Sequence, residues 1–242
     1  MNCAQILLGC TFVSGAIAPN AIAALVNVDF VQNSSTAAYT GAGVLGSAGQ
    51  TWNSSIAGQG WQGNAMMALS GLKDSTGATI AGTSFTVGAA NGTVGDHNAM
   101  GTVGTWRPGG SGSNSPWNGI FDRLVSQSTL RFHFDGLGAG QLYTVVLYQG
   151  YAVQNSPSYS VNGVVRTATY ATASSSMLEG RDYLRYENIA ADANGRITIG
   201  AAGGWDSNSG LTAIQIEGAF VPAPGALALL GLAGCVGSRR RR

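Results

Sequence analysis

Short runs of alternating apolar and polar residues recur along the middle of this chain, and they predict strands. In Thr129-Leu130-Arg131-Phe132-His133-Phe134-Asp135 the apolar residues 130, 132 and 134 fall on one side, as the two-residue period of a strand requires. Tyr143-Thr144-Val145-Val146-Leu147-Tyr148 is apolar on both sides, the pattern of a central strand. Gly136 to Gly140 separates these two runs, and the break reads as a hairpin connection. Further strands are expected at 25–30, 52–56, 65–69, 84–87, 158–161, 164–169, 184–189, 196–199 and 212–217. Asn162-Gly163 is the strongest short hairpin motif in the chain, and Asp192-Ala193-Asn194-Gly195 marks another turn. Only 119–127 (GIFDRLVSQ) suggests a short helix.

About a dozen short strands divided by turns predict an all-β fold, a two-sheet antiparallel β-sandwich of jelly-roll-like form. Composition agrees. Charged residues make up only 10% of the 242 residues while 45% are hydrophobic, which argues against disorder. One lysine, Lys73, and 37 glycines are far from the usage of a helical protein.

The two ends differ from this middle. Residues 6–18 are apolar and are followed by Ala21-Ile22-Ala23, a small-x-small pattern that places cleavage before Ala24 and makes 1–23 a signal peptide. No basic residue precedes the run, and a first core strand is the alternative. A lipoprotein reading at Cys10 has too few apolar residues before it. At the other end, 225–237 is apolar, predicts a helix, and runs into Arg239, Arg240, Arg241 and Arg242. The positive-inside tendency would hold that arginine block in the cytoplasm and leave 24–220 outside. The three cysteines, Cys3, Cys10 and Cys235, all lie in these end segments, so the middle has neither disulfide framework nor thiol chemistry.

Val221-Pro222-Ala223-Pro224-Gly225, the apolar stretch and the arginine run resemble a PEP-CTERM sorting signal over 221–242. That resemblance implies transient insertion in the inner membrane and an exosortase-like processing enzyme as partner. It further implies release toward the cell surface, outer envelope or exopolysaccharide matrix. The glutamate usual between the prolines is Ala223 here, which leaves the processing enzyme open; a simple membrane anchor is the alternative. The middle is similar to the galactose-binding-like β-sandwich domains of exported proteins in that group. Asn27-Val28-Asp29-Phe30, Tyr143 to Tyr148, Tyr159 to Gly163 and Leu211 to Gly218 carry the likeness. Such cues imply a fold and bring no ligand with them.

Charge excludes one class. Eight basic residues face eleven acidic ones outside the arginine block, a balance of about three negative units with no basic stripe for nucleic acid. No H-E-x-x-H, P-loop or G-x-S-x-G motif is present, so no catalytic residue is assigned. Glu179, Asp182 and Glu187 would suit a glycan hydrolase or lyase only if they came together as a pair; ordinary surface carboxylates are the alternative. His133 alternates with phenylalanines and reads as a structural or surface residue.

Candidate ligand contacts are Asp96 and His97 in a glycine-rich loop, Trp106 and Trp117 flanking a polar loop, and Trp205; Trp61 lies in similar surroundings. Flat aromatic faces beside polar side chains suit a sugar ring. The alternative is that the tryptophans cap the core. Asp206-Ser207-Asn208 spaces oxygen side chains as calcium loops do, making Asp206 and Asn208 candidate metal ligands, but lacks further acids. Folding should need no cofactor, and a structural calcium ion stays open. The function expected is polysaccharide binding without catalysis; an adhesive matrix protein or a glycan-active enzyme are the alternatives.

Overall fold

The computed structural model describes residues 22–31, 39–56, 68–89, 99–102, 123–125, 130–149, 158–169, 177–203 and 211–220. Two sheets pack face to face. Thirteen strands are found among the described residues: β1 Ile22–Val31, β2 Asn53–Ile56, β3 Ala68–Ser70, β4 Ser84–Ala89, β5 Ala99–Thr102, β6 Arg123–Val125, β7 Leu130–Asp135, β8 Leu142–Gln149, β9 Ser158–Val161, β10 Val164–Thr167, β11 Tyr183–Ala190, β12 Ile197–Gly203 and β13 Leu211–Phe220. The first sheet runs β11-β8-β13-β1-β2, with β6 against β13 and β5 against β6. The second runs β10-β9-β12-β7-β4-β3. The β-sandwich read from the sequence is therefore the architecture. All pairs are antiparallel except β1 with β2, which are parallel.

The core lies between the sheets and is built from the buried halves of alternating strands. Phe30 of β1 meets Phe85 of β4 and Phe132 of β7 across the sandwich, with ring centroids 6.2 and 5.7 Å apart. Phe85 and Phe134 lie 4.8 Å apart. Such tilted aromatic pairs bury large areas and add attraction beyond the area itself. Tyr186 of β11 stitches the layers at one side, its hydroxyl donating to the Tyr159 carbonyl of β9 at 2.9 Å.

A third, thinner layer covers the outer face of the first sheet. Residues 39–52 form a strap whose Leu45 and Trp52 pack on Leu25, Val146, Tyr148 and Ala213. This explains why β13 is buried on both faces from Leu211 to Ile216. Beneath the strap, Gln215 is buried and fully engaged. Its Nε2 donates to Asn27 Oδ1 at 2.7 Å and to the Leu45 carbonyl at 2.9 Å. Its Oε1 accepts from Leu45 N at 2.9 Å and from the Tyr148 hydroxyl at 2.5 Å. Buried polar groups are tolerated when bonded in this way.

Several sequence expectations need correction. The runs 130–135 and 143–148 do not form a hairpin, because β7 and β8 belong to different sheets. Gly136 (φ 77°) turns the chain so that Leu137 N donates to the Gly195 carbonyl at 2.9 Å, docking this crossover on the β11–β12 crossover. A Cβ at Gly136 would strike the Gly82 carbonyl, so only glycine fits there. The short helix expected at 119–127 is contradicted at Arg123–Val125, which is strand β6 paired through Val125 with Leu211. A nine-residue helix is marginal alone, and pairing at the edge of β13 offers the backbone a ladder instead. Asn162-Gly163 does form a hairpin turn between β9 and β10, with φ of 45° and 85°, the left-handed pair that primed turns require.

Residues 71–80 form a tight turn fastened to β1, where Ser75 N donates to the Leu25 carbonyl. Asp74 Oδ1 accepts from Thr76 N, Thr76 Oγ1 and Ala78 N at 2.9, 2.6 and 3.0 Å. Burial pushes this carboxyl up, but these hydrogen bonds outweigh it and hold the group below its ordinary range. A depressed folded-state value stabilises above the unfolded carboxylate pKa and is lost as pH falls through the folded value. Asp74→Ala is expected to cost about 1–2 kcal/mol at pH 7 in urea unfolding. The difference from the parent should shrink below about pH 4, near the unfolded carboxylate value; a gap independent of pH would contradict the assignment.

Candidate ligand-binding face

The outer side of the six-stranded sheet carries the polar halves of the same strands whose phenylalanines fill the core. Phe85, Phe132, Phe134, Ile197, Ile199, Tyr159 and Val161 point inward and are buried. Ser84, Thr86, Arg131, His133, Asp135, Thr198 and Ser160 alternate with them and are half-buried on the opposite side. Cross-strand register sets these residues in rows. Thr86 stands beside His133, and His133 beside Thr198. Asn162 extends that row, its Oδ1 accepting from Thr198 N at 2.7 Å. Ser84 stands beside Asp135. In the next row Gly88 neighbours Arg131, Arg131 neighbours Gly200, Gly200 neighbours Ser160 and Ser160 neighbours Val165.

Two contacts define the centre. His133 Nδ1 lies 3.1 Å from Thr198 Oγ1, which orients the imidazole along its row. Arg196 Nε donates to Asp135 Oδ1 at 2.5 Å, and that bond raises the guanidinium pKa. Burial, then Arg196 and, more weakly, Arg131 lower the His133 pKa, while Asp135 opposes them. The imidazole is therefore neutral at pH 7, with one nitrogen to donate and one to accept. Arg131 lies along Gly200: a Cβ there would come within 2.6, 2.8 and 2.9 Å of its Cδ, Nε and Cζ. The glycine leaves the space in which that guanidinium rests.

Each of the carboxylates singled out from the sequence faces an arginine. Glu179 pairs with Arg166 at 2.9 Å, Asp182 with Arg181, and Glu187 with Arg185 at 3.0 Å. Each is taken up by its own arginine. Among the described residues no group of three or more His, Cys, Asp or Glu side chains is placed to hold a metal ion. Among them, too, no helix is long and apolar enough to cross a membrane.

Asp96, His97, Trp106, Trp117, Trp205 and Trp61 lie outside the described residues, as do the metal candidates Asp206 and Asn208. So do Ala21, Val221 to Gly225 and Arg239 to Arg242. Of the cleavage pattern, Ala23 and Ala24 are found in β1, opposite Ala219 and Gly218 of β13. His133 was expected on the polar side of its strand and is there. Arg131, Asp135, Arg196, Thr198 and Ser160 were not singled out, although Arg131-x-His133-x-Asp135 is legible as the polar phase of an alternating strand. Compared with models of known protein families, with curated proteins and with solved structures, the chain has no match.

Proposed function

We propose that this chain is an exported, non-catalytic matrix protein whose β-sandwich binds polysaccharide on the outer face of the six-stranded sheet. The observation that carries this reading is the row Thr86–His133–Thr198 beside Arg131. Hydroxyl, imidazole and guanidinium groups are aligned across neighbouring strands of one sheet. Sugars present closely spaced hydroxyls, and an array of fixed donors and acceptors matches them with little ordering cost. Export rests on the sequence of the two ends, with an exosortase-like enzyme as processing partner. In this reading Trp106, Trp117 and Trp205 would supply aromatic surfaces for stacking on sugar rings.

A pull-down of the purified chain on immobilised polysaccharides, including the host's own matrix, tests the proposal. Saturable retention is expected. Arg131→Ala should weaken it roughly tenfold to a hundredfold, the value of a lost hydrogen bond to a charged group. Retention that ignores Arg131 would move the site elsewhere. One observation favours a second reading, an adhesive protein without a defined ligand: β10 is an edge strand exposing Val164 (49%) and Val165 (55%). Self-association indifferent to soluble sugar would support it.

A further inference from the structure

The strand by which a chain leaves its domain decides how the domain answers tension. Here that strand, β13, is an inner one. It is laddered to β1 from Ile22 opposite Phe220 to Asp29 opposite Ala213, and to β8 from Tyr143 opposite Gly218 to Gln149 opposite Leu211. Both ladders are antiparallel, so their hydrogen bonds run across the strands. A pull on Phe220 along β13 strains these bonds together. A pull that parts Ile22 from Phe220 strains them one pair at a time, because β1 enters where β13 leaves.

Resting on the polysaccharide reading for the far attachment, we propose that β13 is a tension clamp between the bound glycan and the chain that follows Phe220. Side chains latch it on both flanks. Gln215 donates to Asn27 Oδ1 of β1 at 2.7 Å and receives the Tyr148 hydroxyl of β8 at 2.5 Å. At the exit, the Tyr143 hydroxyl donates to the Ala219 carbonyl at 2.6 Å and accepts from Gly138 N at 2.9 Å. The Tyr143 ring meets Phe220 edge-on, with centroids 5.7 Å apart, and a Cβ on Gly218 would strike that ring. Phe220 is itself fully buried, so β13 is held to its last residue. The proposed glycan face belongs to the other sheet. Its row of Arg131, Gly200 and Ser160 lies farther from Phe220 than Asp135 does, since β7 ends at Asp135 and the chain then leads into Tyr143. Tension between that row and Phe220 therefore runs mainly lengthwise through β13. An edge strand such as β10, paired with β9 alone, would peel from its one neighbour.

Optical-tweezer pulling of the full chain tests the clamp, with handles coupled to azide side chains so that Cys3, Cys10 and Cys235 stay untouched. One version carries the handles at Ser160 and Val221, the other at Ala23 and Val221. Forced unfolding reports the barrier along the pulled direction, and at one loading rate the first version is expected to need at least about twice the rupture force of the second. Tyr143→Phe supplies another arm. It loosens β13 at its exit while β1 still peels as before, so the force should fall in the first version and hold in the second. Equal forces, or a stronger second version, overturn the clamp. A Tyr143→Phe chain that matches the parent in the first version, or weakens in both, overturns the part given to Tyr143. No sugar is present in this measurement, so the clamp can fail while polysaccharide binding stands. High force in the first version from a chain that retains no polysaccharide overturns the glycan as far attachment and leaves the clamp standing.

Discussion

Phe85→Ala is expected to lower the unfolding free energy by about 3–5 kcal/mol, the cost of an emptied aromatic site in a packed core. Phe85 is fully buried and touches three other rings, Phe30, Phe132 and Phe134. Those rings come from β1 of one sheet and β7 of the other, so the space left by Phe85 cannot close without moving the sheets together. For a domain of about 200 residues the loss corresponds to a fall in the melting midpoint of roughly 10 °C. Urea unfolding followed by tyrosine and tryptophan emission measures it. A loss under about 1 kcal/mol, the size of an ordinary surface change, would mean that the four rings do not form one packed unit.

The second large effect is expected at a polar residue. Gln215→Leu keeps the volume and removes four hydrogen bonds beneath the strap. Leu45 N, the Leu45 carbonyl, Asn27 Oδ1 and the Tyr148 hydroxyl then each lose a partner in a buried place. Each buried polar group left unsatisfied costs about 1–3 kcal/mol, so a total near 2–4 kcal/mol is expected after the strap relaxes. The strap itself offers a sharper readout. Burial and, secondarily, Asp29 push the Tyr39 phenol up to about 12. If Gln215 is what holds residues 39–52 down, the variant should return Tyr39 toward an ordinary phenol value of about 10 in an ultraviolet titration. A destabilised variant with Tyr39 still titrating high would place the anchor elsewhere in the strap, with Trp52 or Val44.

These two residues mark what the sequence made legible and what it did not. Phe85 lies within the strand expected at 84–87. For Phe132, His133 and Phe134 alternation identifies strand and face together, because a two-residue period is a local property, and the Asn162-Gly163 turn is legible because its backbone geometry is written into its residues. Gln215 shows the other case. Its neighbours Ile214 and Ile216 mark the strand, but its burial depends on a strap 170 residues away in the chain. The strap is rich in glycine and small residues and has no period to read. Sheet membership failed for a related reason: Gly136 to Gly140 announces a turn, yet only the packing of Leu137 and Gly195 decides that the chain crosses to the other sheet. The candidate face has no signature of its own in the sequence. A polar strand phase such as Arg131-x-His133-x-Asp135 looks like ordinary solvated surface until the register brings Thr198, Arg196 and Gly200 beside it.

The proposed function holds polysaccharide on the outer face of the six-stranded sheet. Backbone amide shifts of the labelled chain, followed during titration with a polysaccharide that it retains, provide the test. Changes that saturate together are expected at Thr86, Arg131, His133, Thr198, Gly200 and Ser160, with the strap residues 39–52 unmoved. Saturating changes confined to the strap or to the β10 edge, with the Arg131–His133 strand silent, would contradict it.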